Sequence, residues 1–165
     1  MTVLRTTALA LGVLALTSTT AGNAAAASPL DVPQGNQVVT SLRGTGVQVY
    51  RCTTGAWTFV EPAAILTDRG RTVGLHSRGP RWASLRDGSA VTAKAVANVP
   101  RAGAVAELLL EVTGTEGKGV FSRVTFIQRL ATRGGLAPAG SCAEGASTAV
   151  PYVADYVFYG PTSTS

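Results

Sequence analysis

From Val47 to Tyr159 apolar side chains recur at every second position, and short glycine-containing turns break the pattern. Alternation at period two sends one row of side chains to each face of a strand, whereas a helix needs apolar residues every three or four positions. Val47 and Val49 share one face, with Gln48 and Tyr50 on the other. Trp57 and Phe59 share a face beyond the Thr53-Thr54-Gly55 turn. Ala64 to Thr67 and Thr72 to Leu75 flank a turn at Asp68-Arg69-Gly70, and Arg81 to Leu85 and Ala90 to Val99 flank Asp87-Gly88. Asp-Gly is a strong two-residue hairpin signal because both positions tolerate positive φ. Leu108, Leu110 and Val112 alternate with Leu109 and Glu111. A glycine-rich turn from Gly114 to Gly119 leads to the longest strand candidate, with Val120, Val124, Phe126 and Leu130 on one face and Arg123, Thr125 and Arg129 on the other. Finally Tyr152, Ala154, Tyr156 and Phe158 alternate with Val153, Asp155, Val157 and Tyr159. The pattern predicts a single antiparallel all-β domain of about eight strands. Either a closed up-and-down barrel or a two-sheet sandwich would protect its edges.

The domain is expected over residues 28–160, behind a signal peptide at residues 1–27 and ahead of a tail at 161–165 that should fray. Arg5 precedes an apolar run from Thr6 to Leu16, and Ala25-Ala26-Ala27 suits a cleavage site before Ser28. That run is about a dozen residues, well short of the ~20 that span a membrane, so export without a transmembrane anchor is expected. Ser28 to Gln37 reads as a polar, extended lead-in. Without Arg5, thirteen basic side chains face nine acidic ones, a modest excess carried almost entirely by arginine. Cys52 and Cys142 form an even pair, which in an exported chain predicts one disulfide. Closing a loop of that length stabilises the fold by roughly 4 kcal/mol in the chain-entropy model. A redox role would want a C-x-x-C pair, and a zinc site would want more ligands than the two cysteines and His76.

The densest polar stretch, Asp68 to Ser89, holds five arginines together with His76, Trp82, Asp87 and Ser89. His76 with Asp87 or Ser89 supplies the raw materials of a small hydrolase, but no G-x-S-x-G elbow is present to strain a nucleophile. The arginines, Arg78 among them, suit phosphate or carboxylate groups, and Trp82 suits a sugar face. Gly79-Pro80 marks a bend that positions Trp82. Tyr152 and Tyr156 form a second, aromatic candidate inside a barrel mouth. Gly44-Thr45-Gly46 and Gly117-Lys118-Gly119 do not extend to a nucleotide fingerprint, and no cofactor or metal is expected.

In order along the chain stand Pro33-x-Gly35-Asn36, Gly46-Val47-Gln48-Val49-Tyr50-x-Cys52, His76-x-x-Gly79-Pro80-x-Trp82 and Asp87-Gly88-Ser89-x-Val91. Gly117-x-Gly119, Val124-Thr125-x-Ile127-Gln128-Arg129, Thr132-x-Gly134-Gly135-x-x-Pro138, Cys142 and Tyr152-x-Ala154-x-Tyr156-x-Phe158-Tyr159 complete the series. Together they resemble a family of mostly secreted bacterial and fungal proteins known as the domain of unknown function numbered 3455, over about Val32 to Tyr159. The resemblance implies a shared fold and export, and it brings no activity, cofactor or catalytic residue with it. One departure is visible: Val105-Ala106-Glu107 stands where such relatives often carry a Pro-Trp pair.

The functional expectation is a non-catalytic binding or structural module at or outside the cell envelope. His76, Arg78, Trp82, Asp87, Tyr152 and Tyr156 are its candidate ligand contacts. Envelope polymer, carbohydrate or anionic lipid are the expected partners, and nucleic acid is not. A small hydrolase and a protein-interaction or inhibitor domain are the alternatives.

Overall fold

The computed structural model describes residues 27–162. The expected signal peptide, apart from Ala27, lies outside the described residues. Eight strands follow one another: β1 (Asn36–Thr53), β2 (Ala56–Asp68), β3 (Arg71–Ser77), β4 (Arg81–Ser84), β5 (Ala90–Arg101), β6 (Ala104–Glu116), β7 (Phe126–Gly134) and β8 (Ser147–Pro161). Each pairs antiparallel with the next, and β1 pairs with β8, so the sheet closes into an up-and-down barrel. Closure selects the barrel over the sandwich. Among the described residues no helix is long and apolar enough to cross a membrane.

Period-two alternation sets what lies inside. On β8, Tyr152, Ala154, Tyr156 and Phe158 are all buried, while their neighbours are half-exposed. Leu42, Leu66, Trp82, Val91, Leu110 and Ile127 meet them in one core. The Thr54-Gly55 and Arg69-Gly70 turns have both residues at positive φ, the geometry that matches strand twist in a two-residue hairpin. Cys52 and Cys142 are bonded, tying the last turn of β1 to the long β7–β8 connection.

Two local expectations need correction. Asp87-Gly88 is not a two-residue hairpin: β4 and β5 are joined by a loop from Leu85 to Ser89 in which Gly88, not Asp87, has positive φ. Val120 to Thr125 is a loop, not the start of the longest strand, and β7 begins only at Phe126. Val124, which imitated a strand there, and its loop neighbour Phe121 are buried in the core at that end. Of the tail expected to fray, Pro161 closes β8 and the Thr162 amide donates to Gly35 O at 2.9 Å, and residues 163–165 lie outside the described residues.

The wall is incomplete in one place. The β3–β4 hairpin is short, so β2 pairs with β3 only from Ala64 onward and β5 pairs with β4 only up to Thr92. The first half of β2 and the second half of β5 therefore run unpaired on the sides facing each other. Between them the barrel opens sideways, beneath the Arg78-Gly79-Pro80 hairpin tip.

Candidate functional site

That opening leads into a cleft of about 600 Å³. Its inner wall is built by parity. His76 on β3 and Trp82 on β4 are cross-strand partners, so both point inward, where their rings stack with centroids 4.3 Å apart and planes 9° from parallel. Tyr156 from β8 packs edge-on against both, at 5.1 Å from His76 and 5.6 Å from Trp82. Gly44 makes room for it, because a Cβ there would lie 2.6 Å from the Tyr156 ring. Tyr152 sits two inward positions earlier, with its hydroxyl 3.2 Å from that of Tyr156. Arg129 on β7 pairs with Tyr156 across the ladder and brings a guanidinium into the cleft. Gln48 on β1 completes the polar part of the wall, and Leu108 and Leu110 form the apolar part. Phe59, Arg78, Pro80 and Lys94 make the rim.

The electrostatics of the cleft follow from burial. The His76 Nδ1 lies 3.0 Å from Arg81 O, and since a carbonyl only accepts, Nδ1 carries the proton and Nε2 presents a lone pair. Burial pulls the His76 pKa down to about 4, so the ring is neutral at ordinary pH. Burial pushes the Tyr152 and Tyr156 hydroxyls up, and both remain protonated donors. Arg129 donates through Nε and Nη2 to Ala106 O, at 3.1 and 2.8 Å, which fixes the guanidinium plane. Among the described residues Arg129 has no carboxylate within ion-pairing distance. The rim cations differ, as Arg78 pairs with Glu61 at 3.2 Å and Lys94 with Glu111 at 3.1 Å.

Two residues of this wall carry a donor that lacks any partner, Gln48 Nε2 and Trp82 Nε1. Both side chains are almost wholly buried, at 2% and 1% exposure. An unpaired buried donor costs about 1–3 kcal/mol, and interiors rarely tolerate one.

Of the residues singled out from the sequence, His76, Arg78, Trp82 and Tyr156 line this one cleft, with Tyr152 bonded behind Tyr156. Asp87 does not join them. It lies on the β4–β5 loop at the opposite end of the barrel, where its carboxylate accepts from Ser89 N at 2.9 Å, Ser89 Oγ at 2.6 Å and Val120 N at 2.9 Å. Those hydrogen bonds, led by that from the Ser89 hydroxyl, hold the Asp87 carboxyl well below the usual carboxylate range. Ser89 Oγ in turn accepts from the Phe121 amide. The cluster is a clip that holds the capping loop, and His76 bonds to neither member of it. The five arginines also disperse, for Arg78, Arg81 and Arg86 each pair with a carboxylate. The cleft cation without a carboxylate partner, Arg129, and Gln48, which lines the same cleft, were not among the sequence candidates. A parity argument could have found them, because Gln48 shares its strand face with Leu42 and Cys52, and Arg129 shares its face with Ile127.

The fold and site define an eight-stranded antiparallel barrel with an aromatic, donor-lined cleft opening through its wall. The chain belongs to the family described as Protein of unknown function (DUF3455), whose model matches residues 33–160. No curated protein matches the chain. No solved structure matches it either.

Proposed function

We propose that this protein is an exported, non-catalytic binding module that holds a small ligand in the side cleft of its barrel. One observation carries the reading: Gln48 and Trp82, which line the same cleft, each carry a buried donor with no partner. Two orphaned donors in a single site are costly in an empty protein and are satisfied by an acceptor-bearing occupant. The volume, about 600 Å³, suits one small molecule or the end of an envelope glycan. Export rests on the leader expected at residues 1–27 and agrees with the Cys52–Cys142 disulfide. Hydrolysis by His76 with Asp87 or Ser89 has no geometric support, because the acidic residue and the serine bond to each other at the far end.

A thermal-shift screen of the purified protein tests the reading, with envelope glycans, teichoic-type polymers, anionic lipids and short organic acids as probes. A ligand that binds only the native state raises Tm. The expected hit is lost in Gln48→Leu, which removes one orphaned donor and keeps the unliganded Tm. A flat response across the panel at millimolar concentrations overturns the proposal.

A further inference from the structure

We infer that the occupant is a small organic monoanion, a carboxylate on a largely apolar body, bound with its carboxylate toward Arg129, Gln48 and Trp82. This rests on the binding reading above and adds a ligand class to it. The charge count comes first. None of the residues lining the cleft is Asp or Glu, and three are cations: Arg78, Lys94 and Arg129. The first two are neutralised by Glu61 and Glu111 at the rim. Arg129 is half-buried and uncompensated, and His76 is neutral, so the interior carries a single positive charge. One carboxylate matches that charge, whereas a phosphate dianion would overshoot it.

Hydrogen-bond polarity agrees. Arg129 spends Nε and one Nη2 hydrogen on Ala106 O, which leaves its remaining guanidinium hydrogens on a fixed plane. Gln48 Nε2, Trp82 Nε1 and those guanidinium hydrogens are all donors, and a carboxylate accepts at about four lone-pair sites without donating. A neutral sugar brings hydroxyl donors, which would draw on the wall's acceptors, the His76 Nε2 lone pair and the Gln48 amide oxygen, and would leave the Arg129 charge uncompensated. The remaining wall, with Leu108, Leu110, Pro62 and Ala93, offers apolar surface for the body of the acid.

The test uses matched probes: benzoate, phenylacetate and hexanoate, each beside its primary amide and alcohol, together with neutral monosaccharides. Tm is read alongside the indole N–H resonance of Trp82 in ¹H–¹⁵N spectra. The acids should raise Tm and move the Trp82 resonance, and the amides and alcohols should do neither. Arg129→Gln should abolish the acid response. Because Arg129 also ties down Ala106, Gln48→Glu is the second variant, placing a carboxylate in the cleft wall and weakening acid binding by at least about tenfold. Amides that bind as well as acids, sugars that bind where acids do not, or an acid preference that survives in both variants would overturn the monoanion assignment while leaving a binding cleft in place. If no probe, charged or neutral, changes either signal, the assignment and the binding reading fail together.

Discussion

At the Asp87 end of the barrel an exposed carboxylate and the buried Ser89 hydroxyl are satisfied in a closed circuit. Asp87 takes both the amide and the hydroxyl of Ser89 and the amide of Val120, and Ser89 Oγ takes the amide of Phe121. At the cleft Gln48 and Trp82 are buried much as Ser89 is, but they keep donors with nothing to bond. The two regions share a fold, a strand ladder and an aromatic core. They differ in whether polarity is consumed internally, and that difference separates a structural use of polar residues from a receptive one. A polar cluster with a complete set of partners stabilises the fold, whereas one with unspent donors is what the proposed binding role requires.

The largest expected effect comes from the covalent tie at the cleft end, which has no counterpart near Asp87. Cys52→Ala with Cys142→Ala should destabilise the barrel by roughly 4 kcal/mol in urea denaturation. Reductant should reproduce most of that loss in the wild type and none of it in the double variant.

A second effect is set by pH. The His76 pKa falls from its unfolded value near 6.5 to about 4 in the fold, so the unfolded chain binds the extra proton between those limits. Stability is therefore full above pH 6.5 and is lost as pH drops toward 4, by an amount on the order of 3 kcal/mol. His76→Gln should flatten this part of the Tm-against-pH curve. An unchanged slope in the variant would assign the loss to other groups.

Two smaller substitutions set the regions against each other directly. Asp87→Ala strands three donors and should lower Tm clearly, with Asp87→Asn restoring part of the loss. Gln48→Leu removes a donor that bonds to nothing and should leave the unliganded Tm unchanged or slightly raised. If Gln48→Leu costs as much as Asp87→Ala, the contrast between satisfied and unspent polarity is wrong.

Much of this architecture was legible because it is local. Alternation along Tyr152 to Phe158 is a property of one strand, and so is the inward placement of its aromatics. His76 and Trp82 lie six positions apart around a Gly-Pro bend, close enough for sequence to join them. Gln48 and Arg129 lie on strands far apart in the chain and meet only when the barrel closes. Their faces could be read from parity, but not their convergence on one cleft. The stretch from Val120 to Val124 misled because burying apolar residues requires only that they point inward, and a capping loop does this as well as a strand. Asp87 misled for a related reason: a carboxylate two residues from a serine suits catalysis and a loop clip equally, and the location of the histidine decides between them.

The short β3–β4 hairpin makes the entrance by what it leaves out, since the mouth is simply the stretch of wall that two truncated strands fail to cover. Aperture and chemistry are thereby placed under separate control. Adding or removing residues at the hairpin tip would widen or shutter the doorway while the ring of eight strands stays closed. Exchanging single side chains such as Gln48 or Arg129 would change what is admitted without altering its size limit. A scaffold divided in this way can be retuned for new occupants one property at a time.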